Sequence, residues 1–185
     1  MDEQLKKFPL FIKANEIYEL VRKVADLVEK YDEDADPEKQ MLQGYKDYMY
    51  ESALIIPAKI AGAFNEDRLY DLKMQNATII RKEARSILAN TSGIKMLGFK
   101  DTDYLELIRN EIEEFRILFA EWVKTFNEWN YIIDRWGLFN PPGVNYDDFD
   151  IDDELPFDNP FLDDEDWVFD TEIHRGKFVC EKWGS

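Results

Sequence analysis

Residues 101–136 read DTDYLELIRNEIEEFRILFAEWVKTFNEWNYIIDRW. Taken in alternating steps of three and four, this stretch gives Leu105, Ile108, Ile112, Phe115, Phe119, Trp122, Phe126, Trp129, Ile133 and Trp136, an unbroken apolar seam. A 3.5-residue period places these side chains on one face of a helix that buries itself against other helices. Glu106, Arg109, Glu113, Glu114, Arg116, Glu121 and Lys124 fall between them and stay in water. A helix over all of this stretch would be roughly 54 Å long, so its partners must be long as well. The reading predicts an all-α bundle.

Working back toward the N-terminus, the same spacing recurs. Phe11, Ala14, Ile17, Val21, Val24, Val28 and Tyr31 predict a first helix from Leu10 to Tyr31. An acidic loop follows, and Asp36-Pro37 reads as an N-cap followed by proline at the first helical position. The second helix turns Leu42, Tyr45, Met49, Ser52, Ile56, Ile60 and Ala63 inward. Pro57 lies inside it and predicts a kink, because it removes one backbone hydrogen bond. The third helix runs from Arg68 to Leu97, with Leu69, Leu72, Ile80, Ala84, Ile87 and Ile94 inward and Gly98 as C-cap. Asn76, Asn90 and Thr91 interrupt its seam, and Asp101 caps the fourth helix. Short connections between the four predict an antiparallel up-down-up-down arrangement.

Charge divides the chain. Its formal net charge is −17, of which −6 falls on residues 1–136 and −11 on residues 137–185. Residues 1–136 are expected to form the four-helix bundle and residues 137–185 a mostly irregular, acidic, aromatic-rich extension. Asn140-Pro141-Pro142-Gly143 breaks the helical pattern, and the acids beyond it alternate with Phe149, Ile151, Phe157, Phe161 and Trp167. Such alternation suits contact with a basic, partly apolar protein surface, and these five residues are the expected partner-binding positions. Residues 168–173 and 177–183 are strand-like runs that a hairpin could join.

One cysteine, Cys180, excludes a disulfide framework within the chain and fits a reducing compartment. Neither a secretory leader nor an apolar run of membrane-spanning length is present, so a cytoplasmic protein with no membrane contact is expected. Asp148, Asp150 and Asp152 imitate the opening of a calcium loop, but Asp153 stands where glycine is required and Asn159 where a bidentate glutamate is required. With one histidine, His174, and neither zinc spacing nor a phosphate-cradling glycine loop, no catalytic site, metal or cofactor is expected. The third helix is the basic element: Lys73, Arg81, Lys82 and Arg85 form a candidate face. Acidic residues of a neighbouring helix or subunit, nucleic acid, and the acidic tail all remain open as its partners.

The segment Ile55-Ile56-Pro57-Ala58-Lys59-Ile60-Ala61-Gly62-Ala63, the turn Ile94-Lys95-Met96-Leu97-Gly98-Phe99 and the four-helix pattern together resemble a known family. They look like the four-helix-bundle proteins encoded by intervening sequences of large-subunit ribosomal RNA genes. Those proteins are similar to the accessory variability proteins of diversity-generating retroelements. The resemblance implies a homo-oligomer, typically a pentamer, without catalysis, and in the retroelement branch a partner that is a reverse transcriptase together with nucleic acid. Two functional expectations follow. One is a homo-oligomeric scaffold or accessory subunit whose acidic tail recruits a basic protein such as a nucleic-acid enzyme; the other is a direct nucleic-acid binder using the third helix.

Overall fold

The computed structural model describes residues 3–29, 37–65 and 67–149. By its contacts the chain divides into two units, Met1–Asp148 and Phe149–Ser185. The first unit is all-helical among the described residues. A single 3-10 turn, Leu5–Lys7, precedes four helices: α1 (Pro9–Glu29), α2 (Pro37–Ala63), α3 (Tyr70–Met96) and α4 (Thr102–Val123). α1 packs against α2 and α4, and α3 packs against α2 and α4, which closes a ring of four interfaces.

The inward positions expected for α1, α2 and α3 are largely the buried ones. Ile17, Val21, Met49, Ile56, Ile60, Ile80, Ile87 and Ile94 are at most 1% exposed. Each contributes on the order of 1.5–3 kcal/mol by leaving water. Leu69 and Leu72 are only half-buried, and Tyr70, Lys73 and Ala77 take the interior positions at that end of α3. α2 continues through Pro57 as one helix. Ala53, Ile56 and Ile60 around it are buried, and their packing offsets the backbone bond that proline cannot make.

Asn90 and Thr91 do not interrupt the interior. Both are buried, and each spends its polar group locally: Asn90 Nδ2 donates to Ser86 Oγ at 3.2 Å and Thr91 Oγ1 to the Leu88 carbonyl at 2.8 Å. Every interface around the ring carries a polar stitch of this kind. Tyr18 and Tyr50 share a 3.1 Å hydroxyl contact between α1 and α2. Ser52 Oγ donates to Glu83 Oε2 at 2.9 Å between α2 and α3. Arg109 Nη1 reaches the Leu88 carbonyl and Thr91 Oγ1, each at 3.1 Å, between α4 and α3. Lys13 Nζ joins α1 to α4 through Glu111 at 2.7 Å and Glu114 at 2.8 Å, with Glu16 at 3.1 Å. Hydrogen bonds to Glu111 and then Glu114 hold the Lys13 ammonium above the ordinary lysine range.

One close approach fixes how α2 meets α3. A Cβ built on Gly93 would lie 2.8 Å from the Tyr45 ring, so the aromatic plane rests on bare backbone. At the end of α3, Gly98 has φ of +81°. Gly98 N–H donates to the Lys95 carbonyl at 3.2 Å and Phe99 N–H to the Ile94 carbonyl at 3.4 Å. This is the Schellman pattern, with Phe99 buried beside it. Asp101 occupies the N-cap of α4 but makes no side-chain capping bond there.

The fourth helix is shorter than its seam. It ends at Val123 rather than Trp136, because side chains beyond that point capture backbone groups that a helix would need. Asn127 Oδ1 accepts from Trp129 N–H at 3.0 Å. Asp134 accepts from the N–H groups of Trp136, Leu138 and Phe139 at 2.9, 2.8 and 3.0 Å. Asn140 Oδ1 accepts from Asp134 N–H at 2.7 Å, and Asn140 Nδ2 returns a bond to the Asp134 carbonyl at 3.0 Å. Phe126 and Ile133 are still buried, but Trp129 and Trp136 are 90% and 89% exposed, against the seam's expectation. The turn segment also finishes α3: Tyr70 N–H, which lacks a partner within its own helix, donates to the Asn130 carbonyl at 2.7 Å. Arg135 Nη1 bonds the carbonyls of Tyr146 and Asp148 at 2.9 and 2.8 Å, so the turns after Trp136 remain part of the first unit. The strand-like runs at 168–173 and 177–183, with His174 and Cys180, lie outside the described residues.

Candidate functional site

The basic face read from α3 separates into two parts. Lys73 is 6% exposed, and its ammonium lies 5.6 Å from the centroid of the Phe126 ring, a cation–π distance. It lines a 770 Å³ cavity at one end of the helices with Phe8, Phe64 and Trp122, whose rings pack edge-on or tilted at 5.3–6.1 Å. At 100° per residue Lys73 sits about 80° around the helix from Arg81 and about 120° from Arg85. It therefore belongs to the interior of the bundle and not to a face shared with them.

Arg81, Lys82 and Arg85 are exposed. Lys82 Nζ is 3.1 Å from Glu83 Oε1. Neither Arg81 nor Arg85 makes a hydrogen bond or ion pair among the described residues. Two guanidinium groups one turn apart, neither paired among the described residues, are conspicuous in so acidic a chain.

They flank an apolar groove of 440 Å³ between α3 and α4. From α3 it takes Arg81, Ala84, Arg85 and Leu88, spaced zero, three, four and seven, which is one helical stripe. From α4 it takes Ile112, Glu113, Phe115, Arg116, Phe119, Ala120 and Val123, again one face of a helix. The groove is open because alanine stands at 84 and at 120, where a longer side chain would fill it. Phe115 and Phe119 stack at 6.2 Å along the floor. Opposite Arg81 and Arg85, Arg116 is bound to Glu113 through Nε and Nη2. That hydrogen bond holds the Glu113 carboxyl below the usual range and the Arg116 guanidinium above its own.

Chemically, the groove offers a greasy trough with positive charge along one lip. It holds no nucleophile beside a base, and among the described residues no group of three or more His, Cys, Asp or Glu side chains is placed to hold a metal ion. Of the expected partner-binding residues, Phe149 is 70% exposed, and Ile151, Phe157, Phe161 and Trp167 lie outside the described residues. No helix among the described residues is long and apolar enough to cross a membrane.

The sequence supplied Arg81, Lys82 and Arg85 but not the groove beside them. The available signal was the small-large stripe Ala84 and Leu88 on α3, facing Phe119 and Ala120 on α4. It is visible only when the two helices are placed side by side. The chain matches no family model, no curated protein and no solved structure.

Proposed function

We propose that this chain is a non-enzymatic scaffold or accessory subunit, an up-down-up-down bundle that assembles with copies of itself and binds a partner protein. The observation that carries the reading is the α3/α4 groove, apolar on its floor and bordered by Arg81 and Arg85, which are unpaired among the described residues. Apolar surface left open between two helices and edged by polar groups is the usual signature of a protein-docking surface. Self-assembly draws support from the turn segment after α4, where Trp129, Ile132, Trp136 and Leu138 are between 56% and 90% exposed. The tail residues Phe149, Ile151, Phe157, Phe161 and Trp167 offer a further contact, suited to a basic protein such as a nucleic-acid enzyme.

The test is a photoreactive phenylalanine placed at position 120 of the full chain in cells, with position 23 on α1 as a control. One defined protein crosslinked from 120 and not from 23 supports the reading; equal crosslinking from both sites, or none from either, removes it. Light scattering of the full chain addresses self-assembly separately, and a monomer at all concentrations would remove that half.

A second reading, direct nucleic-acid binding, is favoured by the guanidinium groups of Arg81 and Arg85 lying a turn apart with Lys82 beside them. Three phosphate contacts would give a log-log salt slope of about −2 to −3. The buried Lys73 is not available to add a fourth.

A further inference from the structure

Resting on that protein-docking reading, we infer that the occupant of the α3/α4 groove is an acidic amphipathic helix of a partner protein, its apolar stripe in the trough and two of its carboxylates on Arg81 and Arg85. Three observations lead there.

The first is shape. The α3 wall from Arg81 to Leu88 is about 10 Å long and the α4 wall from Ile112 to Val123 about 16 Å, at 1.5 Å per residue. Walls of that length match two to three turns of a third helix.

The second is charge. Arg81 and Arg85 are four residues apart and lack carboxylate partners among the described residues, whereas Arg116 across the groove already has Glu113. Carboxylates three or four residues apart on an incoming helix would meet them in register. Arginine forks bind such groups bidentately, and the pairs then set direction as well as affinity.

The third is selection by the rest of the molecule. A chain of net charge −17 repels nucleic acid and acidic proteins at long range. An acidic ligand must overcome that repulsion locally, at Arg81 and Arg85, which meet no carboxylate among the described residues, while an apolar floor supplies attraction that salt does not screen. Phosphate backbones would use the arginines but leave Phe119, Ala120 and Val123 uncovered.

The experiment uses the full chain and a fluorescein-labelled 18-residue amphipathic peptide with Leu and Phe on one face and Glu elsewhere, read by anisotropy. Its counterpart with every Glu replaced by Lys, and a single-stranded oligonucleotide, are the controls. The acidic peptide is expected to bind with a Kd on the order of 10 µM and the Lys peptide at least about tenfold more weakly. Arg81→Glu with Arg85→Glu should weaken acidic-peptide binding by about tenfold or more. Ala120→Trp, which fills the trough at an exposed position and leaves the charges in place, should do the same. Circular dichroism checks that both variants keep the wild-type helix content.

Absence of acidic-peptide binding, or binding unchanged in both variants, overturns the inference. So does preference for the oligonucleotide. If light scattering shows self-association that the double arginine variant abolishes, the occupant is a second copy of this chain and the inference is overturned in that direction. Crosslinking of a partner protein from position 120 together with no acidic-peptide binding would defeat this inference while leaving the docking reading standing.

Discussion

α4 and the turns that follow it are written in the same apolar spacing, yet they behave as different materials. From Leu105 to Trp122 the seam is helical, and Leu105, Ile108, Ile112 and Phe115 are at most 4% exposed. From Trp129 to Trp136 the spacing continues, but the chain turns and both tryptophans stand in water. The difference lies in the polar residues between the apolar ones. From Leu105 on, those of α4 are mostly Glu and Arg, whose long side chains reach other side chains or a neighbouring helix. Beyond Val123 they are Thr125, Asn127, Asn130, Asp134 and Asn140, whose short side chains compete for backbone donors and acceptors. Spacing thus names the faces of a helix, and a succession of short polar residues that take up backbone groups can end it.

The largest expected effect separates the two regions directly. Phe115→Ala should destabilise the protein by about 3–5 kcal/mol in urea denaturation, because it opens a cavity in a packed interior. Trp136→Ala should change the same measurement by less than about 0.5 kcal/mol. Comparable losses from the two would mean that the turn segment is as much a part of the interior as α4.

Next in size is the tie between α4 and α1. Lys13→Met is expected to cost about 1–2 kcal/mol, since it removes charged hydrogen bonds and leaves Glu111 and Glu114 without their shared cation. The pH dependence gives the sign. Lys13 is raised in the folded state, so its contribution is complete below the unfolded lysine value near pH 10.4 and fades as pH rises beyond it. Wild-type and Lys13→Met stabilities should therefore converge in alkali.

The smallest effect is local. Asp134→Ala should leave global unfolding nearly unchanged while amide exchange at Trp136, Leu138 and Phe139 accelerates, as read by NMR. The N–H of Trp136, followed by those of Leu138 and Phe139, holds the Asp134 carboxyl below its ordinary value. The protection of these amides should accordingly persist above about pH 3.9 and fall away as acid protonates the group below it. Exchange that is insensitive to the substitution would show that some other contact holds the turns.

Much of the bundle was legible. α2 and α3 begin and end, and α1 begins, within about two residues of their periodic patterns, while the expected end of α1 at Tyr31 lies outside the described residues. Pro57 was correctly read as internal, because Ile60 and Ala63 keep the apolar phase beyond it. The end of α4 was not legible, because ten apolar residues in phase outweighed a few Asn and Asp whose effect depends on which backbone groups lie within reach. Lys73 was misjudged as surface for a simpler reason: charge suggested exposure, while its angular position and the ring of Phe126 gave the stem an interior place. The groove needed two helices in relation, which one helix's periodicity does not contain.

The contact between Tyr45 and Gly93 has a further consequence, one that concerns descent more than stability. A side chain at 93 cannot coexist with the Tyr45 ring where it now lies, so loss of the glycine requires the ring to move or to shrink. Relatives of this chain should change at both places together: wherever glycine is lost from the third helix, the ring should have moved or shrunk on the second. That coupled change would mark kinship even after the surface has been rewritten.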